Sequence, residues 1–161
     1  MAEMIKVGMA DLKAAVYPNA LTTLGLGSCV GVAIFDKTTK IIGLAHVMLP
    51  SSKQTSNNTN IAKFADTAID KLLDDMIQLG ANRKYLTAKL AGGAQMFATN
   101  NTSDIMRIGL RNAIACRTRL SELGIRVISE DTGGNFGRTI ELYSEDGKLL
   151  IKTIGHGSNI I

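Results

Sequence analysis

Apolar residues along this chain recur first with a period of two and later with a period near four. Between positions 29 and 35, Val30, Val32 and Ile34 fall on one side, while Cys29, Gly31, Ala33 and Phe35 fall on the other. Such alternation predicts a strand. A second apolar run, "KIIGLAHVML" (40–49), follows the turn-forming "DKTTK", so the two predict an antiparallel hairpin. Shorter apolar or β-branched pieces at 5–10 and 14–27 read as further strands. The polar stretch "SSKQTSNNTN" (51–60) then predicts a long surface loop, and beyond it the period changes.

Residues 61–80 place Ala65, Ile69, Leu72, Leu73, Met76 and Leu79 at helical spacing, with Gly80 as the stop. "YLTAKLAGG" (85–93) reads as a buried strand. Residues 103–124 read as a second amphipathic helix, capped near Ser103 and stopped at Gly124. "IRVISED" (125–131) adds a strand, and 138–155 a hairpin turning at Asp146-Gly147. Seven or eight mostly antiparallel strands with two helices laid over them predict a layered α+β fold, with residues 1–161 as a single domain.

Composition narrows the partners. The chain is 45% hydrophobic but only 4% aromatic, so the core is expected to be aliphatic. No segment approaches the roughly 20 apolar residues that cross a bilayer, and the first residues lack a signal peptide's pattern. A cytoplasmic location without membrane insertion is therefore expected. The net charge is +4, but the cations are scattered apart from Arg107, Arg111, Arg117 and Arg119 on the second predicted helix. That is no concentrated basic patch interleaved with aromatics, so nucleic acid is not expected. An acidic protein partner or a plain solvated surface fits the charge better.

The chemistry gathers at "TLGLGSCVGV" (23–32). Cys29 and Cys116 are too few for a disulfide framework and read as free thiols. If Cys29 directly opposes His46, the paired numbers sum to 75, which centres the turn inside "DKTTK". Directly opposed residues share a face with Cβ atoms about 4.5–5.5 Å apart, whereas a slip of one would place them on opposite faces. A thiol beside an imidazole is a nucleophile with its base: the histidine takes the proton, the ion pair is stabilised, and the thiolate attacks a carbonyl carbon. Thr23 is a candidate hydrogen-bond acceptor that would orient the imidazole. Gly25, Gly27 and Gly31 would let a substrate backbone approach and free the chain to aim N–H groups at a developing oxyanion. The alternative stays open at this point: Cys29 as a small buried hydrophobe and His46 as a structural residue.

Cys116 reads as core packing and His156, in "GHGSN", as a loop residue. "GLGSCVG" misses the dinucleotide spacing and precedes a strand. No Walker motif occurs, and no Cys or His pair has metal-ligand spacing, so neither a metal nor a cofactor is expected. "AKLAGGAQMF" and "EDTGGNFGR" read as glycine bends, with walls of a substrate cleft as the other possibility.

The strings "TLGLGSCVGV", "GLAHVMLP", "KLAGGAQMF" and "EDTGGNFGR" together closely resemble the chemoreceptor glutamine deamidase family, CheD, over essentially the whole chain. The resemblance implies a β-sandwich-like core with helices outside, similar to a bacterial toxin deamidase. It implies hydrolysis of glutamine side-chain amides on the cytoplasmic helices of methyl-accepting chemotaxis receptors, with Cys29 as nucleophile, His46 as general base and Thr23 as the orienting residue. Backbone N–H groups at 27–29, with Gly27 and Ser28 lining the cleft, are expected to form the oxyanion hole. The substrate being a helix, a shallow surface site is expected, and the same acyl-enzyme could arise from a methyl ester. The resemblance also implies docking to the CheY-phosphate phosphatase CheC, which makes a regulatory binding module the second reading.

Overall fold

The computed structural model describes residues 1–96 and 107–161. Its strands form two five-stranded sheets. The first runs in the order β1 (Met4–Lys6), β3 (Ala20–Leu26), β8 (Arg138–Tyr143), β9 (Leu149–Thr153), β10 (Gly157–Ile160). The second runs β2 (Leu12–Ala15), β5 (Ile41–Val47), β4 (Val30–Asp36), β6 (Leu86–Gly92), β7 (Arg126–Thr132). All pairings are antiparallel except β1 with β3 and β6 with β7. The ten strands among the described residues exceed the seven or eight expected; β2 and β10 have only four residues each, too short to show a period.

The alternation on β4 separates two core layers. Val30, Val32 and Ile34 pack in one cluster with the buried faces of α1 (Ala65–Gln78) and α2 (Ile108–Glu122). Cys29 and Ala33, with Phe35 packed alongside, turn the other way, into the layer between the sheets with Leu21, Leu26, Ile42, Leu44, Ile140 and Leu142. The molecule is thus a β-sandwich with both helices on the outer face of one sheet, an α+β layered fold.

Five of the six residues expected on the α1 stripe are buried, but Leu79 falls past the last helical residue and is 46% exposed. On α2 the buried stripe is Gly109, Asn112, Ala113, Cys116 and Leu120. Ser103, the expected cap, lies outside the described residues. Two of the helix's cations are paired, Arg117 with Glu130 and Arg119 with Asp70. Cys116 is core packing, as expected, and burial pushes its thiol up to about 12.

The β4–β5 hairpin departs from the expected register. Gly31, not Cys29, opposes His46, and Asp36 pairs with Ile41. The paired numbers sum to 77, two more than expected. The cause is a longer turn built around the buried Asp36. Its Oδ1 accepts from Thr38 N (2.8 Å), Thr38 Oγ1 (2.6 Å) and Thr39 N (3.3 Å), its Oδ2 from Asn82 N (2.7 Å), and Lys40 adopts a φ of 59°. A shift of two preserves faces, so Cys29 and His46 still look into the same layer, but as diagonal neighbours.

Burial alone would raise the Asp36 pKa; the hydrogen bonds from Thr38, Asn82 and Thr39 outweigh it and hold the carboxyl down to about 2. Its depressed value stabilises the fold above the unfolded carboxyl's pKa, and that contribution is lost as pH falls toward 2. Asp36→Asn is therefore expected to cost about 2 kcal/mol at pH 7. Urea denaturation of both proteins at pH 7, 4 and 3 checks this, with the difference shrinking at the lowest pH.

Candidate active site

Gly25, at a φ of 69°, lets β3 bulge between Thr23 and Leu26 before the chain crosses to the second sheet through residues 27–29. Three of the carbonyls there are held from one side. Ala94 N–H donates to Gly27 O (2.9 Å), the Asn112 amide to Ser28 O (3.0 Å), and Gly93 N–H to Cys29 O (2.8 Å). Cys29 is 8% exposed, with Gly27 and Ser28 half-buried beside it. Met96 lies over Gly27, 3.2 Å from where a Cβ would stand. The site is a thiol just under the surface, more enclosed than the shallow surface expected. Gly31 also differs from expectation: a side chain there would strike Ile140 of the opposite sheet, so this glycine lets the sheets interlock and does not face substrate.

His46 is fully buried in the layer between the sheets. Its Nδ1 lies 2.7 Å from Thr23 Oγ1, which reaches across from the first sheet. The tautomer follows from a second contact. Thr23 Oγ1 also lies 2.8 Å from Val7 O, and a carbonyl can only accept, so the single hydroxyl proton is committed there. The hydroxyl must therefore accept from His46, whose proton sits on Nδ1. Nε2 is left as a bare lone pair, buried and with no hydrogen-bond partner among the described residues. An orphaned buried acceptor costs about 1–3 kcal/mol, a cost that makes sense where a proton is to be received.

Burial pushes the Cys29 thiol up, against the opposing pull of its own backbone N–H, and burial pushes the His46 imidazole down. The resting pair is therefore neutral thiol and neutral imidazole, in place of the ion pair expected from adjacency. The diagonal register accords with this: Gly31, not Cys29, stands opposite His46, and the imidazole Nε2 makes no hydrogen bond to the thiol. Alkylation of Cys29 by iodoacetamide, followed site by site by mass spectrometry, is expected to rise only above the ordinary thiol range of about 8.5. A resting thiolate–imidazolium pair would instead react below pH 7.

Thr23→Val keeps the shape but leaves both Val7 O and the Nδ1–H of His46 unpaired. If His46 serves Cys29 as a base, turnover is expected to fall roughly 100-fold with KM little changed, while Thr23→Ser retains most of it; steady-state kinetics of the pair checks this.

Of the glycine bends, Gly92-Gly93 buttresses the loop that carries Cys29. Gly93, Gly133 and Gly134 also line a cleft of about 280 Å³ with Leu110, Ala113 and Arg117. His156 sits in the β9–β10 turn, its ring centroid 4.5 Å from that of Phe136 with the planes tilted by 36°. No cluster of metal-ligating side chains occurs among the described residues, and no helix among them is long and apolar enough to cross a membrane. Sequence reading missed the Val7 carbonyl, which carries no side-chain signal. It also missed Asn112, whose signal was a polar residue in the buried stripe of α2.

A thiol and an oriented neutral imidazole on one inward face of a two-layer sandwich have the makings of a cysteine hydrolase site. A family model described as "CheD chemotactic sensory transduction" matches residues 48–153. The "Probable chemoreceptor glutamine deamidase CheD" of Caldanaerobacter subterraneus subsp. tengcongensis is 57% identical over 99% of this chain and 98% of its own. The "Chemoreceptor glutamine deamidase CheD" of Halalkalibacterium halodurans is 48% identical over the full length of both. The chain belongs to the CheD family. The matched segment begins after Thr23, Cys29 and His46, so it is the full-length relatives that span the site.

Proposed function

We propose that this protein is a chemoreceptor glutamine deamidase, acting as one domain, with Cys29 as nucleophile, His46 as general base and Thr23 as the orienting residue. Two relatives that it matches end to end carry that activity in their names. The observation that carries the residue assignment is the Thr23–His46 contact, which leaves the Nε2 lone pair unpartnered on the face where the thiol lies.

Binding of a glutamine side chain brings the groups into play. The thiol proton passes to His46 Nε2 as the sulfur–carbon bond forms and the amide carbonyl becomes an oxyanion. The oxyanion collapses, the carbon–nitrogen bond breaks, and the imidazolium returns the proton to the departing ammonia. Water then attacks the thioester with His46 again taking a proton, the carbon–sulfur bond breaks, and the thiol is restored. The net change is glutamine plus water to glutamate plus ammonia.

Peptide mass spectrometry on a receptor cytoplasmic fragment incubated with the protein tests the reading, with Cys29→Ala alongside. Conversion by the unaltered protein alone is the expected outcome, and it maps the modified positions. A fragment or a CheC homologue bound without any conversion would replace the enzyme by a regulatory module.

A further inference from the structure

Asn112 is fully buried on α2, on the far side of the second sheet from the thiol. Its Nδ2 lies 3.0 Å from Ser28 O and 2.9 Å from Met48 O. Both neighbours are carbonyl oxygens, which fixes the amide's orientation: the NH2 group must face them. One side chain therefore ties the residue before Cys29 to the residue two after His46. Its Oδ1 has no partner among the described residues.

A trans peptide points its C=O and N–H in opposite directions. Drawing Ser28 O toward α2 turns the N–H of the same peptide, that of Cys29, toward the layer between the sheets, where the thiol and His46 lie. The Cys29 N–H does favour the charged form of its own sulfur. Neither it nor Ser28 N–H donates to a backbone carbonyl among the described residues. Ala94 N–H, by holding Gly27 O, sets the preceding peptide and so the direction of the Ser28 N–H.

We propose that Asn112 is a positioning residue: by holding Ser28 O it aims the Cys29 N–H at the place where the oxyanion develops, and so sets the oxyanion hole and the ease of forming the thiolate. This rests on the reading of Cys29 as nucleophile.

Asn112→Leu, of similar volume and without donors, is the first test, with kinetics on the receptor fragment and the alkylation profile of Cys29. The expected result is a fall in kcat of about 100- to 1,000-fold, the loss typical of one oxyanion donor. KM should stay within about threefold, and Cys29 alkylation should move to higher pH. A folded variant that keeps kcat within about threefold of the original overturns the proposal. So does one that loses kcat with the alkylation profile unmoved, since a purely structural strut has no reason to tune the thiol.

The unaltered protein supplies an arm that does not depend on any variant folding. A short peptide with glutamate semialdehyde in place of glutamine takes up the thiol across its carbonyl: the sulfur–carbon bond forms, the carbonyl π bond opens, and the thiol proton ends on the oxygen. In ¹⁵N-labelled protein the Cys29 N–H and the Asn112 NH2 resonances are both expected to shift on adduct formation. An unmoved Cys29 N–H overturns the proposal. Cys29→Ala separates the two levels: full activity there would overturn the nucleophile itself, whereas an inactive Cys29→Ala beside active Asn112 variants removes only the positioning role.

Discussion

Cys29→Ala and His46→Gln are each expected to abolish measurable glutamine conversion, a loss on the order of 10⁴-fold or more. Combining them should cost no more than either alone. The groups act as one unit, because a thiol without a base cannot shed its proton and a base without a thiol has nothing to activate. Rates that multiplied in the double variant would mean that the two residues act independently, and would sink the assignment. His46→Gln has a second expected signature. Burial holds the folded imidazole below its ordinary pKa, so the unfolded chain binds more protons as pH falls below about 6.5. His46 thus supports the fold above its unfolded pKa, and that support is lost as pH falls through the folded value. The melting temperature of the unaltered protein should drop between pH 7 and pH 5, and the drop should be smaller in His46→Gln.

Gly92→Ala is the second large effect. Gly92 adopts a φ of 109°, a region that L side chains rarely enter, and an added Cβ would drive into the carbonyl oxygen of Cys29. The backbone penalty alone is about 1–3 kcal/mol, and the collision adds to it, so a loss of about 3 kcal/mol or more is expected by chemical denaturation. The strand must also retreat from the loop that carries Cys29, which loosens the bond from Gly93 N–H to Cys29 O. Protein that remains folded should lose deamidation at least tenfold. Gly25→Ala, at a φ of 69° but with open space around it, should pay the backbone penalty with no collision. A Gly92→Ala protein as stable as Gly25→Ala would show that the contact with Cys29 does not matter.

These outcomes turn on features of unequal legibility in the sequence. The faces of β4 could be read because Val30, Val32 and Ile34 alternate without a break, and faces survive any even shift of register. The register itself could not be read. It depends on how many backbone groups Asp36 gathers and on Lys40 accepting a left-handed conformation, neither of which composition reveals. Thr23 stood out by its place before the glycines. Its hydroxyl's commitment to Val7 arises only when β1 lies parallel to β3, a pairing of residues 16 apart. Asn112 was hidden for the opposite reason: a single polar side chain in a helical stripe looks like a weak helix former until the strand ends beneath it are known. The hairpin and glycine pattern singled out the three candidate residues and the CheD resemblance pointed to the same three; only the folded structure supplies the proton's location on the imidazole and the carbonyl clamps on the loop.

The pairing of Thr23 with Ile140 links the site to the order of synthesis. Cys29 and His46 leave the ribosome early, but the sheet that seats Thr23 against them is completed by β8 and β9, which follow only from residue 138 onward. Until β8 docks beside β3, the Thr23 hydroxyl is not seated against the imidazole, which then has no fixed tautomer and, on the proposed assignment, is no organised base for the thiol. The nascent chain therefore carries a dormant cysteine, and hydrolytic competence arrives together with closure of the sandwich.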